Sequence, residues 1–144
     1  MSGNLEALVS SLAMHASLEL ILTGWVRSTA IIVGSTAIAA VYLETDTECV
    51  SEKAVETAKE LARKARGIIY VTLAEFAEDQ ERALLVMGYT PKERVHIAVP
   101  LQVVEQDGEK ACVPNVEGAK LGLVHGADWM DPWADDRKPL EAPH

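Results

Sequence analysis

The C-terminal part of the chain holds the residues best suited to bind a metal ion. His125, Asp128 and Asp131 lie close together in the sequence, and Asp135 and Asp136 follow them. Hard cations accept carboxylate and imidazole ligands, but this spacing matches neither a calcium loop nor a zinc signature. The pattern leaves two interpretations open, a metal site and an acidic surface segment.

A second acidic group follows the most apolar part of the chain. Glu44 and Asp46 stand in the segment Glu44-Thr-Asp-Thr-Glu-Cys49. Two neighbouring carboxylates are able to hold the divalent ion of a metal-dependent hydrolase. Cys49 comes just before a predicted helix, whose N-terminus lowers a thiol pKa, although the adjacent Glu48 and Glu52 oppose that effect. We therefore treat Glu44 and Asp46 as candidate metal ligands and Cys49 as a candidate nucleophile.

His96 is the candidate general base. It lies within the apolar segment Val95-His-Ile-Ala-Val99. A histidine in such a segment is either a hydrogen-bonded structural residue or a base whose partner comes from elsewhere in the chain. Both interpretations stay open at this point.

Large apolar side chains stand within the acidic C-terminal segment. Trp129, Met130 and Trp133 must either pack onto the protein's own sheet or contact another chain, and tryptophan is a frequent anchor at interfaces. We predict one globular domain over residues 1–126, followed by an acidic, partly flexible tail over residues 127–144. The three residues are the candidate interaction residues.

The stretch from residue 17 to residue 43 is the predicted core, since its only charged residues are Glu19 and Arg27. A membrane helix needs about 20 consecutive apolar residues. The longest uncharged run here, residues 28–43, contains Gly34 and many β-branched residues, which favour strands. We therefore predict no membrane span. The predicted strands cover residues 18–25, 29–33 and 36–43.

Apolar periodicity and helix caps place the remaining elements. Further helices are predicted over residues 5–15, 52–66 and 72–87, the last opened by a capping box at Thr72. Further strands are predicted over residues 68–73, 94–99, 101–105 and 110–113, with a hairpin turn at Asp107-Gly108. The sequence thus predicts an α/β protein of the α+β type. It has a mixed sheet of five to seven strands and about three helices, and its middle strands are parallel with right-handed crossovers.

Composition and charge limit the possible partners. The chain has 144 residues and a formal net charge of −9, which fits one domain and opposes binding to nucleic acid or anionic lipid. It has two cysteines in no metal-binding spacing, and no basic region precedes the apolar block. We therefore expect a cytoplasmic protein with no nucleic-acid partner and no membrane partner.

The segment from Ala58 to Leu101 resembles the C-terminal half of the GNAT acyltransferases. The predicted helix, buried strand, helix ending in Gly88-Tyr89 and final apolar strand follow that family's order. The resemblance implies binding of acetyl-CoA. In the family, a glycine-containing loop holds the pyrophosphate of acetyl-CoA, whereas this chain has the acidic segment Glu44–Glu52 at that place. No catalytic residue is carried over.

The order helix, three strands, helix, strand also resembles the core of the PD-(D/E)XK nucleases. That family places an acidic residue and a lysine two residues apart on the third strand to hold and use a divalent metal. Here the corresponding residues are Glu44 and Asp46, so the lysine is replaced by an acidic residue.

Two functions therefore follow from the sequence. The first is a protein that acts by association, as a homodimer or an accessory subunit, with no recognisable catalytic site. The alternative is a divergent GNAT-like protein that binds acetyl-CoA or another acyl ligand, and a metal-dependent hydrolase is a third hypothesis.

Overall fold

A seven-stranded antiparallel sheet with one long helix on each face forms the protein. The computed structural model describes residues 2–43, 51–76, 81–122, 124 and 127–134. The helices are α1, Ser2–Thr23, and α2, Glu52–Arg63. The strands are β1 Thr29–Val33, β2 Ile38–Tyr42, β3 Gly67–Phe76, β4 Glu81–Tyr89, β5 Arg94–Gln106, β6 Glu109–Pro114 and β7 Lys120–Leu121. Two short 3-10 helices lie at Val116–Gly118 and Ala127–Met130.

The predicted α+β class and the number of strands are confirmed, but the sheet is not mixed. Its strand order is β2-β1-β3-β4-β5-β6, with β7 beside β5, and every pair is antiparallel. The predicted parallel crossovers are therefore wrong. Within the described residues the α-helices number two rather than three.

The predicted helix over residues 72–87 is wrong, because this part of the chain forms the paired strands β3 and β4. Thr72 does not cap a helix, since its hydroxyl lies 2.7 Å from the Ser28 hydroxyl at the start of β1. In β4, Leu84 and Val86 face the α1 side, while Leu85 and Met87 face the α2 side. A strand covered on both faces is apolar at every position, so its sequence does not differ from that of a buried helix.

Helix α1 is longer than predicted, and the predicted strand over residues 18–25 is wrong. The helix continues to Thr23 and ends at Gly24, which has φ +77° and donates its N–H to the Leu20 carbonyl at 2.8 Å. A glycine in this left-handed conformation is a common helix C-terminus. Strands β1 and β2 follow, close to their predicted positions.

Helix α2 is confirmed, with an earlier end than predicted. Its N-cap Ser51 accepts a hydrogen bond from the Ala54 N–H, and the helix ends at Arg63 rather than at residue 66. Val55, Ala58 and Ala62 are buried against the sheet. Small residues on this face let the helix lie close to β1, β2 and β3.

The hairpin at Asp107-Gly108 is confirmed, and it joins β5 to β6. Both residues have positive φ, 54° and 82°, as a two-residue hairpin turn requires. Residues 94–99 and 101–105, which are predicted as two strands on either side of Pro100, form one long strand, β5. At this residue β5 changes its pairing, from β4 before Leu101 to β6 from Leu101 onwards.

Two apolar cores lie on opposite faces of the sheet. The α2 side contains Val55, Ile68, Tyr70, Met87 and Tyr89. The α1 side is built by α1 residues on strand residues that include Ile69, Leu84, Val86, Ile97 and Val99. Because a core lies on each face, the central strands are buried on both sides.

Candidate functional site

A buried aromatic and polar cluster surrounds His96 on the α2 side of the sheet. His96 is 2% exposed, and its ring meets Tyr89 edge to face with centroids 5.3 Å apart. Its Nδ1 accepts the Val124 N–H at 3.0 Å, so the neutral ring carries its proton on Nε2. Among the described residues, no hydrogen-bond partner faces Nε2.

The environment of His96 favours its neutral form. Burial lowers the pKa of the imidazole below its ordinary 6.5, and the nearby Arg94 charge lowers it further. Asp131 and Asp128 act in the opposite direction, with smaller effects. A buried histidine with one structural hydrogen bond matches the structural interpretation of this residue.

Asp131 anchors the segment 127–134 over this cluster. Its carboxylate accepts the Arg94 Nε–H at 2.7 Å and, through the other oxygen, the Trp133 N–H at 2.8 Å. The Asp131 side chain is 1% exposed and that of Arg94 is 13% exposed. The pair is therefore a buried, charge-assisted hydrogen bond, which is among the stronger kinds in proteins.

Side chains of α2 and β3 hold the backbone of the same segment. Lys59 Nζ donates to the Trp129 carbonyl at 2.9 Å, and Arg63 Nε donates to the Pro132 carbonyl at 3.1 Å. The Tyr70 hydroxyl donates to the Met130 carbonyl at 2.7 Å, and burial raises the pKa of this phenol. Three separate donors thus fix the segment to the domain.

The structure separates the three candidate interaction residues. Met130 and Trp133 are 5% and 8% exposed and belong to the α2-side core, whereas Trp129 is 49% exposed. Met130 and Trp133 therefore pack onto the protein's own sheet, which is one of the two alternatives that the sequence left open. The described part of the segment, residues 127–134, is part of the packed domain and not a separate tail.

The metal candidates are not brought together in the described part of the chain. Asp131 is paired with Arg94, and Asp128 is exposed. Glu44, Asp46, Cys49 and His125 lie outside the described residues. Within residues 2–43, 51–76, 81–122, 124 and 127–134, no group of three or more His, Cys, Asp and Glu side chains is placed to hold a metal ion. Cys112 is a free, half-buried thiol.

Helix α1 is apolar on its outward face as well as on its inward face. Leu5, Val9, Ala13, Ala16 and Leu20 are buried against the sheet. On the other side, Met14, Leu18, Ile21 and Leu22 are 53%, 52%, 54% and 82% exposed. These four residues, the outer stripe, recur at helical spacing. Exposed polar residues, among them Glu6, His15 and Glu19, lie beside the stripe, so the apolar outward patch belongs to the C-terminal half of the helix.

The length and composition of α1 also fit a membrane span. Within the described part of the chain, Asn4–Thr23 is the one helix that is long and apolar enough to cross a membrane. About a third of its most apolar 18-residue stretch is buried inside the protein. Core helices of soluble proteins and signal sequences have the same length and composition. Length and composition alone therefore do not decide whether α1 contacts a membrane or another protein surface.

A second apolar surface lies beside α1, on the same face of the sheet. Helix α1 lies over β3 to β6, and this side of β1 and β2 extends beyond it. The surface consists of Ile31, Val33, Ile38, Ala40 and Tyr42, which we call the open sheet face. Ile38 and Tyr42 are 67% and 57% exposed, and Ile31 and Val33 are half-buried.

A groove of about 340 Å³ lies between the N-terminal part of α1 and the end of the sheet where β1 ends and β3 begins. Its apolar lining residues include Leu5, Leu8, Val33 and Ile69. Its charged lining residues are Arg66, Lys92 and Glu93. Of the outer stripe no residue lines this groove, and of the open sheet face only Val33 does.

The outer stripe is not evident from the sequence when residues 18–25 are interpreted as a strand. A usable signal was present, since positions 14, 18, 21 and 22 follow the i, i+4, i+7, i+8 pattern. The run was apolar on the other side as well, which hid the periodicity.

Comparisons with protein-family models, with curated proteins and with solved structures gave no match. The described fold defines the class, an α+β protein with an antiparallel sheet between two helices. The GNAT and PD-(D/E)XK resemblances stay predictions.

Proposed function

We propose that this protein acts by association, as a homodimer or as an accessory subunit, and that α1 supplies the binding surface. The observation that carries the proposal is the outer stripe, four large apolar side chains that are each more than half exposed. Isolated apolar residues are normal on a protein surface, but a contiguous patch marks an interaction site. The cytoplasm is the proposed location.

Burial of the outer stripe would stabilise a complex. Burying a large aliphatic side chain stabilises a complex by about 1.5 to 3 kcal/mol relative to leaving it in water. The stripe lies on a regular helix that its own inward face fixes to the sheet, so its residues are already in position before a partner binds. Little conformational entropy is then lost on binding.

The experiment is light scattering coupled to size-exclusion chromatography on the full chain, over a hundredfold range of protein concentration. We expect a dimer that the double variant Leu18→Gln, Leu22→Gln converts into a monomer. The matched control is Leu61→Gln on α2, because Leu61 is an exposed leucine, 44% accessible, on the helix of the opposite sheet face. This control should leave the dimer intact.

A monomer at every concentration, with no partner retained on α1, would contradict the proposal. Flotation with vesicles of phosphatidylcholine and phosphatidylglycerol tests the other partner of an apolar helix. A monomer that floats with these vesicles through Leu18 and Leu22 would make α1 a membrane-binding helix and would also overturn the proposal.

A further inference from the structure

We infer that the groove between the N-terminal part of α1 and the end of the sheet binds an amphipathic carboxylate, an unbranched alkyl chain that ends in one carboxylate group. The inference goes beyond the proposed function, because no residue of the outer stripe lines this groove. The groove volume of about 340 Å³ lies at the lower end of the range of about 300 to 1,000 Å³ that small-molecule sites occupy.

The buried part of the groove lining suits an alkyl chain. Leu5 of α1 and Ile69 of β3 line the groove and are 6% and 1% exposed. Leu8 and the half-buried Val33 line its more accessible part. These four side chains carry no polar atom. An alkyl chain that lies against them is therefore removed from water, and no polar side chain is left without a partner.

Two cationic residues line the same groove. Arg66, between α2 and β3, and Lys92, between β4 and β5, are both exposed. The two connections lie side by side, since a Cβ built on Gly67 would be 2.9 Å from the Tyr89 carbonyl oxygen and 3.3 Å from Thr90 Cγ2. Arginine and lysine side chains lay their aliphatic parts on apolar surface and keep their charges in water. The positive charges therefore belong to the accessible mouth of the groove.

The charges of the lining favour an anion as the occupant. Among the described lining residues Glu93 is the one carboxylate, and it already takes part in other interactions of the chain. Neither Arg66 nor Lys92 forms a salt bridge within the described part of the chain. In a protein with a net charge of −9, two such cations beside an apolar lining are a local exception. A carboxylate accepts two parallel hydrogen bonds from an arginine and is attracted by the lysine as well.

Hydrogen bonds fix the backbone at both cations. Thr90 donates its N–H to the Glu93 carbonyl at 2.9 Å, and its Oγ1 accepts the N–H groups of Glu93 at 2.9 Å and Lys92 at 3.2 Å. The Arg66 N–H donates to the Val33 carbonyl at 2.8 Å. The backbone at the mouth of the groove is thus in place before a ligand binds, which limits the entropy lost on binding.

The first experiment is isothermal titration calorimetry of the full chain with sodium decanoate, below the concentration at which decanoate forms micelles. We expect saturable binding of one decanoate per chain. Acetate has the same head group without the alkyl chain, and decyltrimethylammonium has the same alkyl chain on a cation. Neither of these two controls should bind saturably.

The second experiment removes the two cations. The double variant Arg66→Gln, Lys92→Gln should raise the dissociation constant of decanoate at least about tenfold, because the charge-assisted hydrogen bonds to the carboxylate are lost. The matched control is Lys53→Gln, Lys110→Gln, since both lysines are exposed and neither lines the groove. The control changes the net charge equally and should change the dissociation constant by less than about twofold.

The third experiment alters the apolar lining. Leu8→Gln should raise the dissociation constant at least about threefold, because an apolar contact with the alkyl chain is replaced by a polar group. Leu61→Gln is the matched control, since Leu8 and Leu61 are helix leucines that are 42% and 44% exposed. This control should leave the dissociation constant unchanged.

The inference is overturned if decanoate does not bind, or if decyltrimethylammonium binds equally well. It is also overturned if Leu18→Gln, Leu22→Gln weakens binding while Leu8→Gln does not, because the alkyl chain then lies on the outer stripe. Light scattering on the same samples tests the proposed function separately. A dimer that binds no decanoate contradicts this inference alone, and a monomer that binds decanoate through Arg66 and Lys92 contradicts only the dimer. Circular dichroism checks that every variant is folded.

Discussion

At the scale of single residues, the polar groups with the strongest interactions serve the fold. Asp131 is almost completely buried, and its two oxygens accept hydrogen bonds from Arg94 and from the Trp133 backbone. His96 is equally buried and holds Val124 through Nδ1. Both residues were candidates for chemistry in the sequence, and both contribute here to closing the segment 127–134 over the sheet.

Replacing Asp131 by asparagine should lower the free energy of unfolding by about 3 kcal/mol, because it leaves the Arg94 charge buried without its counter-ion. The asparagine side chain still offers an oxygen to the Trp133 N–H. The lost stability therefore reports the missing charge interaction with Arg94. Urea unfolding followed by circular dichroism measures it. Asp128→Asn, at an exposed position, is the control and should change stability by less than about 0.5 kcal/mol. Equal losses in the two variants would contradict the importance of the buried pair.

The lowered pKa of His96 predicts a pH dependence of stability. The unfolded chain protonates this histidine near pH 6.5, whereas the folded chain does so only at a lower pH. Between these two pKa values the unfolded state binds more protons, so stability falls as the pH falls below about 6.5, by at most about 1.4 kcal/mol per pH unit. Above pH 6.5 this contribution is complete.

Unfolding in urea at pH 7.5, 6.5 and 5.5 tests this dependence. His96→Asn should show a smaller loss between pH 6.5 and 5.5 than the original chain, while the exposed His15→Asn should show the same loss. Parallel curves for the original chain and His96→Asn would show that His96 does not contribute to the pH dependence.

At the scale of elements, local sequence determined some structures completely and others only in part. Helix α2 has a serine cap and one apolar face, and the β5–β6 hairpin has an Asp-Gly turn. These signals lie within a few residues of the structures that they determine. By contrast, β3 and β4 are apolar on both faces, and only their pairing with each other and with β1 and β5 makes them strands.

The hairpin turn gives a prediction at this scale. Gly108→Ala should lower the free energy of unfolding by about 1 kcal/mol, because Gly108 has φ +82° and alanine is strained there. A Cβ at this position meets no atom within 4 Å, so the whole cost is backbone strain. Gly122→Ala is the matched control, since a Cβ there is equally unobstructed and Gly122 is not among the positive-φ residues. A neutral Gly108→Ala in urea unfolding would contradict the turn.

At the scale of the whole molecule, the distribution of apolar surface is uneven. The α2 side is covered by a helix and by the segment 127–134, whereas on the α1 side the outer stripe and the open sheet face are exposed. This asymmetry of one sheet is the basis for the proposed function. The proposed interface is on the side opposite to Met130 and Trp133.

A dimer predicts that thermal stability depends on protein concentration. Because unfolding releases two chains, each tenfold increase in concentration should raise the thermal midpoint by about 2 °C. The monomeric Leu18→Gln, Leu22→Gln variant should show the same midpoint at all concentrations. Differential scanning calorimetry over a hundredfold range measures both. A midpoint of the original chain that does not change would contradict dimerisation.

The acetyl-CoA alternative is tested by the same thermal measurement. A ligand that binds the folded chain raises the midpoint according to its concentration and dissociation constant. If the GNAT resemblance reflects function, millimolar acetyl-CoA should raise the midpoint. Pantetheine, which lacks the nucleotide, is the control.

The sequence by itself determined the α+β class, the strand number, α2 and the β5–β6 turn, because caps, turn residues and apolar patterns act over a few positions. Only the tertiary structure decided that residues 18–23 are helical, that β3 and β4 are strands, and that Met130 and Trp133 are core residues. In each case the residue types allow more than one structure locally. The contacts that select one come from residues far away in the sequence, as the Tyr70 hydroxyl on the Met130 carbonyl illustrates.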